Sequence, residues 1–151
     1  METPVAAVPT GFISHRLPIQ TSTARQFVDI TDEVQDRVEA SGFRTGLVVV
    51  SSLHTTAAIV INEHEPELLK DLDTFLARLA PESESYWHND VPHGSGEQPN
   101  GHAHCQALLL NASASIPLVN GRMALGRYQR IFLVELDFSR PRCVTVTLLG
   151  A

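Results

Sequence analysis

Two short apolar runs, residues 47–50 and 58–61, flank a polar tetrad and constrain the fold more than any other feature of the chain. Both runs are rich in valine or isoleucine, and runs of that length and composition predict buried β-strands. The tetrad between them is His54-Thr55-Thr56-Ala57. Because a histidine and two hydroxyls lose water beside buried strands, they need hydrogen-bond partners, a metal ion or a ligand.

Two further segments carry histidines that could meet this tetrad. Residues 86–90 contain His88, and residues 100–104 contain His102 and His104. Three histidine-bearing segments separated by helices and loops are typical of a composite site. A core histidine hydrogen-bonded to the backbone would explain His54 alone, and this interpretation stays open beside the composite site.

Periodicity and turn signals predict a mixed order of helices and strands in a single domain, residues 12–151, after a loose leader, residues 1–11. Without a regular β-α alternation, this order predicts an α+β fold with a largely antiparallel sheet. The dipeptide Asn120-Gly121 predicts a hairpin turn. Strands are predicted at 12–23, on both sides of the tetrad within 46–61, and at 116–119, 128–137 and 143–149. Helices are predicted from about 31 to Gly42, at 66–79 and at 104–110, with a long loop over 80–101.

The predicted helix 66–79 has Pro66 at its first position and a strong apolar face. Its six large apolar residues fall within an arc of about 120°. Asp71 and Asp73 lie just outside opposite edges of that arc. Either carboxylate could face a cleft at the rim of the core, and either could be a solvated helix flank.

Composition excludes several classes of function. The chain has 11 basic and 17 acidic residues and a net charge of −6, so it lacks the basic surface that binds nucleic acid. No apolar run approaches the roughly 20 residues of a membrane-spanning helix. The first ten residues have no cationic start or long apolar core, so no export signal is expected. Two cysteines without such a signal favour free thiols and a cytoplasmic location.

An ordered set of motifs resembles the YjbQ family, labelled secondary thiamine-phosphate synthase. The resemblance covers nearly the whole chain, and its most specific parts are the tetrad with the following Asn62-Glu63 and the stretch from Pro117 through Glu135. Where the family usually has Gly-Thr-Trp-Gln, this chain has Gly126-Arg127-Tyr128-Gln129, so a large cation replaces the threonine hydroxyl. The remaining motifs are Asp71, Tyr86-x-His88-Asn89-Asp90, His102-x-His104 and Gly121-x4-Gly126-x2-Gln129.

The resemblance implies a sheet curved into a half-barrel with helices packed on one side, a homotrimer, and a polar pocket where the histidines gather. It also implies weak or secondary thiamine-phosphate synthase activity, which is a transferase reaction. Whether subunits share the pocket stays open. The residues expected to bind ligand are Thr55, Thr56, Asn62, Glu63, Gln129 and Glu135, and those expected to be catalytic are His54, Asp71, His88 and His104.

The departing pyrophosphate of such a transfer needs its charge neutralised by a divalent metal or by cationic donors. His54, His88 and His104 could hold a divalent metal such as zinc, or they could bind a phosphorylated small molecule directly. His104 is preferred to His102 because residues two apart on a helix point about 200° apart. The rival functions are a non-catalytic binder and a metal-dependent hydrolase of a phosphorylated small molecule.

Overall fold

The computed structural model describes residues 11–92 and 98–151, which form eight strands, three α-helices and one 3-10 helix. The predicted leader lies outside the described residues apart from Gly11, which begins β1. The strands are β1 (Gly11–Gln20), β2 (Gln26–Asp29), β3 (Thr45–Ser52), β4 (Ala57–Glu63), β5 (Ser113–Val119), β6 (Arg122–Met123), β7 (Gln129–Glu135) and β8 (Pro141–Gly150). The helices are α1 (Thr31–Ser41), α2 (Pro66–Leu79), the 3-10 helix (Trp87–Asp90) and α3 (Gly101–Leu109).

These strands form two antiparallel sheets. Sheet A has the order β1-β8-β3-β5-β6 and is curved into a half-barrel, while sheet B has the order β2-β7-β4. Every strand pair in both sheets is antiparallel. The predicted α+β class with a largely antiparallel, half-barrel sheet is therefore confirmed.

The main core lies between the two sheets. Alternate residues of β3 and β8, including Val48 and Val146, meet Ile59 of β4, and α1 adds Val34 and Val38. A second apolar cluster lies where α2 and α3 cover sheet B, and it contains Leu76, Ala103, Phe132, Val134 and Leu136. Sheet B is thus buried on both faces, which explains the unbroken apolar run of β7.

Most element predictions agree with the structure, although the 3-10 helix and the two-residue strand β6 were not predicted, and α3 and β2 also differ. Helix α3 begins at Gly101, three residues before the predicted start at His104. The short strand β2 was not predicted, because its four residues acquire strand structure through pairing with β7. The Asn120-Gly121 turn forms as predicted, with φ of 52° and 79°, and the structure places it against α1 through Gln35.

None of the helices in the described part of the chain is long and apolar enough to cross a membrane.

Candidate functional site

Three chain crossings between the sheets meet at one end of the molecule. Residues 21–25 join β1 to β2, residues 53–56 join β3 to β4, and residues 136–140 join β7 to β8. The register places them together, because Gln26 and Ala57 both pair with Glu135 in sheet B. The polar tetrad is one of these crossings, so the sequence breaks its apolar run where the chain changes sheets.

A buried ion pair ties the crossings together. Arg142 donates from Nε to Oε2 of Glu135 at 2.6 Å and from Nη2 to Oε1 of the same carboxylate. The same Nη2 donates to Oγ1 of Thr56 at 3.0 Å, and Oγ1 of Thr21 donates to Oε2 of Glu135 at 2.9 Å. The side chains of Arg142 and Glu135 are 2% and 0% exposed. Each crossing therefore supplies or adjoins a member of one internal network.

This network includes two of the expected ligand-binding residues, Thr56 and Glu135, whose role in binding a ligand stays a prediction. Thr56 and Glu135 are both buried, and their oxygens are engaged by Arg142. A buried charge needs compensation, and the nearest cation supplies it inside the protein. Thr56 and Glu135 therefore support the crossing from beneath and do not line the cleft described below.

A second buried carboxylate connects the β7–β8 crossing to α3. Oδ2 of Asp137 accepts hydrogen bonds from Nη2 of Arg140 at 2.9 Å and from Nδ2 of Asn100 at 2.8 Å. Asn100 immediately precedes α3, so this contact sets the start of that helix against the crossing. Sequence reasoning missed Asp137, Arg140 and Arg142, because a polar segment between two strands suggests a solvated loop.

His54 is built into the edge of sheet A. Where β3 ends, the Leu53 N–H still bonds to the Cys143 carbonyl at 3.2 Å. The reciprocal bond does not go to a backbone carbonyl, because the Cys143 N–H donates to Nε2 of His54 at 2.8 Å. The imidazole thus takes the place of one backbone acceptor in the β3–β8 ladder.

The surroundings of His54 favour its neutral form. Partial burial lowers the pKa of His54 below the usual value of 6.5, and the positive charge of Arg142 lowers it further. The carboxylate of Glu135 opposes this shift, while Arg140 adds to it. The net direction is downward, so the imidazole carries a single ring proton at neutral pH.

His54 and His104 line the same open cleft, which has a volume of about 320 Å³. His54 and Thr55 come from the β3–β4 crossing, and His104 comes from α3. The ring of His88 meets that of His104 edge-to-face, with centroids 4.7 Å apart. The three predicted histidines are therefore neighbours in one region. The remaining lining residues are Ala57, Ala107, Leu108, Asn111 and Ala112.

Helix geometry separates His102 from His104. Both lie on α3, so their side chains point in different directions around its axis. His102 is 4% exposed and is buried on the same helix face as Gln106, whose amide bonds to the carbonyls at the end of α2. His104 is left on the side that borders the cleft.

The other candidate residues lie elsewhere in the chain. Asn62, Glu63 and Gln129 are at the opposite end of sheet B, where Glu63 pairs with Gln129. Ala57 and Glu63 are six positions apart along β4, a distance of roughly 20 Å in an extended strand. Asp71 is exposed on α2 and does not line the His54 cleft. Asp73, the alternative carboxylate, accepts a hydrogen bond from Nε of Arg25 at 2.6 Å.

A polar cluster at this opposite end was not predicted. Asp29 accepts hydrogen bonds from Nε of Arg130 and from Nδ1 of His64, both at 2.8 Å. Burial raises the pKa of Asp29, but bonds from Arg130, Thr31 and His64 together lower it to about 2. Through this bond to Asp29, the half-exposed ring of His64 anchors the start of the β4–α2 loop.

Metal ligands do not converge in the described part of the chain, which holds no group of three or more histidine, cysteine, aspartate or glutamate side chains arranged around one point. Metal binding by His54, His88 and His104 stays a prediction. The geometry of His54 bears on it directly, because the hydrogen bond from Cys143 occupies the Nε2 lone pair.

The fold and the cleft define a small α+β protein in which the chain crosses between two antiparallel sheets beside a histidine-lined cleft. The chain belongs to the YjbQ family: the family model described as "UPF0047 protein YjbQ-like" matches residues 15–151. A UPF0047 protein of Methanothermobacter thermautotrophicus is 39% identical over 137 residues, covering 91% of this chain and 92% of that relative. One from Archaeoglobus fulgidus is 40% identical and covers 88% and 98%.

Solved structures agree with this assignment. A YbjQ-like protein of unknown function from Sulfolobus solfataricus P2 superposes with a TM-score of 0.81 at 41% identity, covering 93% of this chain and 100% of that one. A hypothetical protein from Aeropyrum pernix K1 gives a TM-score of 0.85 at 35% identity, covering 92% and 99%. None of these four relatives is named for an activity.

Proposed function

We propose that the cleft between His54 and His104 binds a small phosphorylated molecule. The proposal depends on one observation: polar groups from the β3–β4 crossing and from α3 line a single cleft of about 320 Å³, within the size range of small-molecule sites. The thiamine-phosphate synthase-like transfer implied by the family resemblance would then act on a ligand held there. Phosphate oxygens are acceptors, and imidazole N–H, hydroxyl and amide groups are suitable donors for them.

The lining also suits the carbon part of such a ligand. Ala57 at the start of β4 and Ala112 after α3, together with Ala107 and Leu108 of α3, give the cleft an apolar wall. Sites for small molecules commonly combine apolar walls with a few placed polar groups. A phosphorylated molecule with a ring or short carbon chain fits this division better than inorganic phosphate alone.

The charge distribution argues for binding ahead of efficient transfer. Arg142 and Arg140, the two cations that lower the pKa of His54, are paired with Glu135 and Asp137. Their charges are balanced inside the protein, whereas transfer requires cations that neutralise a departing pyrophosphate. We therefore expect ligand binding to be readily measurable and the transfer rate to be low.

Exposed apolar side chains near the cleft support the homotrimer implied by the resemblance. Leu53 next to His54 is 50% exposed, Trp87 next to His88 is 92% exposed, and Leu108 in the cleft wall is 84% exposed. Apolar side chains grouped on a surface mark places where another surface packs. A second subunit packed here would narrow the cleft and would make it a shared pocket.

Calorimetric titration with thiamine phosphate tests the proposal, alongside an assay of transfer from a pyrimidine pyrophosphate to a thiazole phosphate. His104→Ala should weaken binding about tenfold, because it removes one donor to a charged acceptor. Lys70→Ala, which changes an exposed residue of α2, is the matched control and should bind as the unchanged protein does. Equal affinity in His104→Ala, or no binding by any of the three proteins, would refute the proposal.

A further inference from the structure

We infer that His54 serves the cleft as a neutral hydrogen-bond donor through Nδ1 and not as a metal ligand, so that the bound group presents an anionic oxygen to this nitrogen. The inference deepens the proposed function, and its statement about the ligand rests on that function. Its statement about the ring proton of His54 rests only on the fold. The two parts can therefore fail separately.

The bond to Cys143 determines the tautomer of His54. A backbone N–H can only donate, so Nε2 of His54 must offer its lone pair to Cys143. In a neutral imidazole the single proton then resides on Nδ1. The backbone register of sheet A thus decides which nitrogen carries the proton, because Cys143 lies one residue beyond the last β3–β8 pair, Ser52 with Val144.

The Cys143 N–H needs a side-chain acceptor because the β3–β8 ladder ends at this point. In an antiparallel ladder every second pair of facing residues exchanges two backbone hydrogen bonds, and Leu53 and Cys143 occupy such a position. Leu53 and Cys143 make only one of them, since the chain turns away toward β4 after Leu53. Without His54, the Cys143 N–H would have lost its ladder partner. Its hydrogen bond therefore holds the ring in place whether or not a ligand is bound.

The two ring nitrogens of His54 do not suit a metal ion. Zinc binds a histidine nitrogen through its lone pair at about 2.0–2.1 Å. On His54 one lone pair already accepts the Cys143 N–H, and the other nitrogen bears a proton. In the residues that the structure describes, no other histidine, cysteine or carboxylate groups converge to compensate for displacing that bond. His54 therefore does not fit the role of a metal ligand.

Nδ1 of His54 can donate a hydrogen bond to a ligand. Among the described residues, His54 bonds to Cys143 through Nε2 and to Ser52 through its backbone N–H, and it borders the cleft beside Thr55 and Asn111. A neutral imidazole N–H held in a partly desolvated site polarises an oxygen without giving up its proton. A phosphoryl oxygen is the acceptor that matches the proposed ligand class.

Nitrogen NMR of histidine-labelled protein tests the tautomer directly. At neutral pH, the His54 ring should show a protonated Nδ1 and an unprotonated Nε2. His54→Ala identifies the signals by their loss, and His15→Ala, which removes an imidazole from β1, is the matched control. A protonated Nε2, or an imidazolium at neutral pH, would overturn the inference regardless of what the cleft binds.

Titration with inorganic phosphate and with zinc tests the ligand class. His54→Ala should weaken phosphate binding about 10- to 100-fold, the loss expected for a hydrogen bond to a charged group. His54→Gln should lose much less, because its amide can accept from Cys143 and donate to phosphate while offering no imidazole to a metal. Stoichiometric zinc binding that shifts His54 Nε2, or equal losses in both variants, would contradict the donor role. A protonated Nδ1 together with no binding of either inorganic phosphate or thiamine phosphate would refute the proposed function and leave the tautomer established.

Discussion

Replacing Arg142 by methionine should destabilise the protein more than any surface change, because it leaves a carboxylate without its cation in the core. Glu135 accepts hydrogen bonds from Arg142 Nε, Arg142 Nη2, Thr21 Oγ1 and the Asp137 N–H. The substitution removes two of these four, and both are charge-assisted. At about 1.5–3 kcal/mol for each such bond, the loss is about 3–6 kcal/mol, which agrees with the roughly 3–5 kcal/mol found for other broken buried pairs.

Urea unfolding followed by circular dichroism, at one fixed protein concentration, measures this loss as a lower midpoint at an unchanged slope. Arg142→Met combined with Glu135→Gln should be more stable than Arg142→Met alone, because the second change removes the unpaired charge. Lys70→Met is the matched control, since Lys70 pairs with Glu67 where both side chains are more than 70% exposed. It should leave the midpoint unchanged. A double variant no more stable than the single one would refute the reasoning.

Two further predictions concern pH and assembly. The pKa of Asp29 falls from 3.8 to about 2 on folding. Its ionised form therefore adds about 2 kcal/mol to the free energy of unfolding above pH 4, and this contribution is lost as the pH falls toward 2. In urea unfolding, the difference in stability between the unchanged protein and Asp29→Asn should vanish over that pH range. The control Asp32→Asn should differ little from the unchanged protein at any pH. A difference for Asp29→Asn that does not change with pH would contradict the prediction. Light scattering should give three times the chain mass of 16.5 kDa, and a monomer mass would contradict the trimer.

Local signals account for the parts of the fold that sequence predicts best. Helix α2 begins at Pro66 and ends at Leu79 as predicted, because a first-position proline and a helical apolar period are both local features. Helix α3 was predicted to begin too late. Its N-cap, Asn100, makes no capping bond and instead donates to Asp137, so the start of α3 depends on a contact 37 residues away.

The candidate site shows the same division. His54 and His104 stand out in the sequence, since polar residues beside apolar runs need partners, and the structure places them in one cleft. The residues around His54 that hold its ring in place and shift its pKa could not be predicted. Cys143 lies 89 residues from His54 and acts through its backbone N–H, which carries no residue signature. Arg142 immediately precedes it, in a segment that resembles a loop in the sequence. Contacts of that range depend on strand register, which the sequence specifies only through the completed sheets.

The position of β8 in sheet A has a consequence for how the protein is made. β8 is the last strand of the fold in chain order, yet it pairs with β1 on one side and with β3 on the other. Until residues 141–150 leave the ribosome, β1 and β3 each present an unpaired edge, and Gly11 cannot meet its partner Gly150. Such long-range pairing is slow, and exposed edges can pair with other chains. The growing chain is therefore most vulnerable to aggregation just before its final strand is inserted.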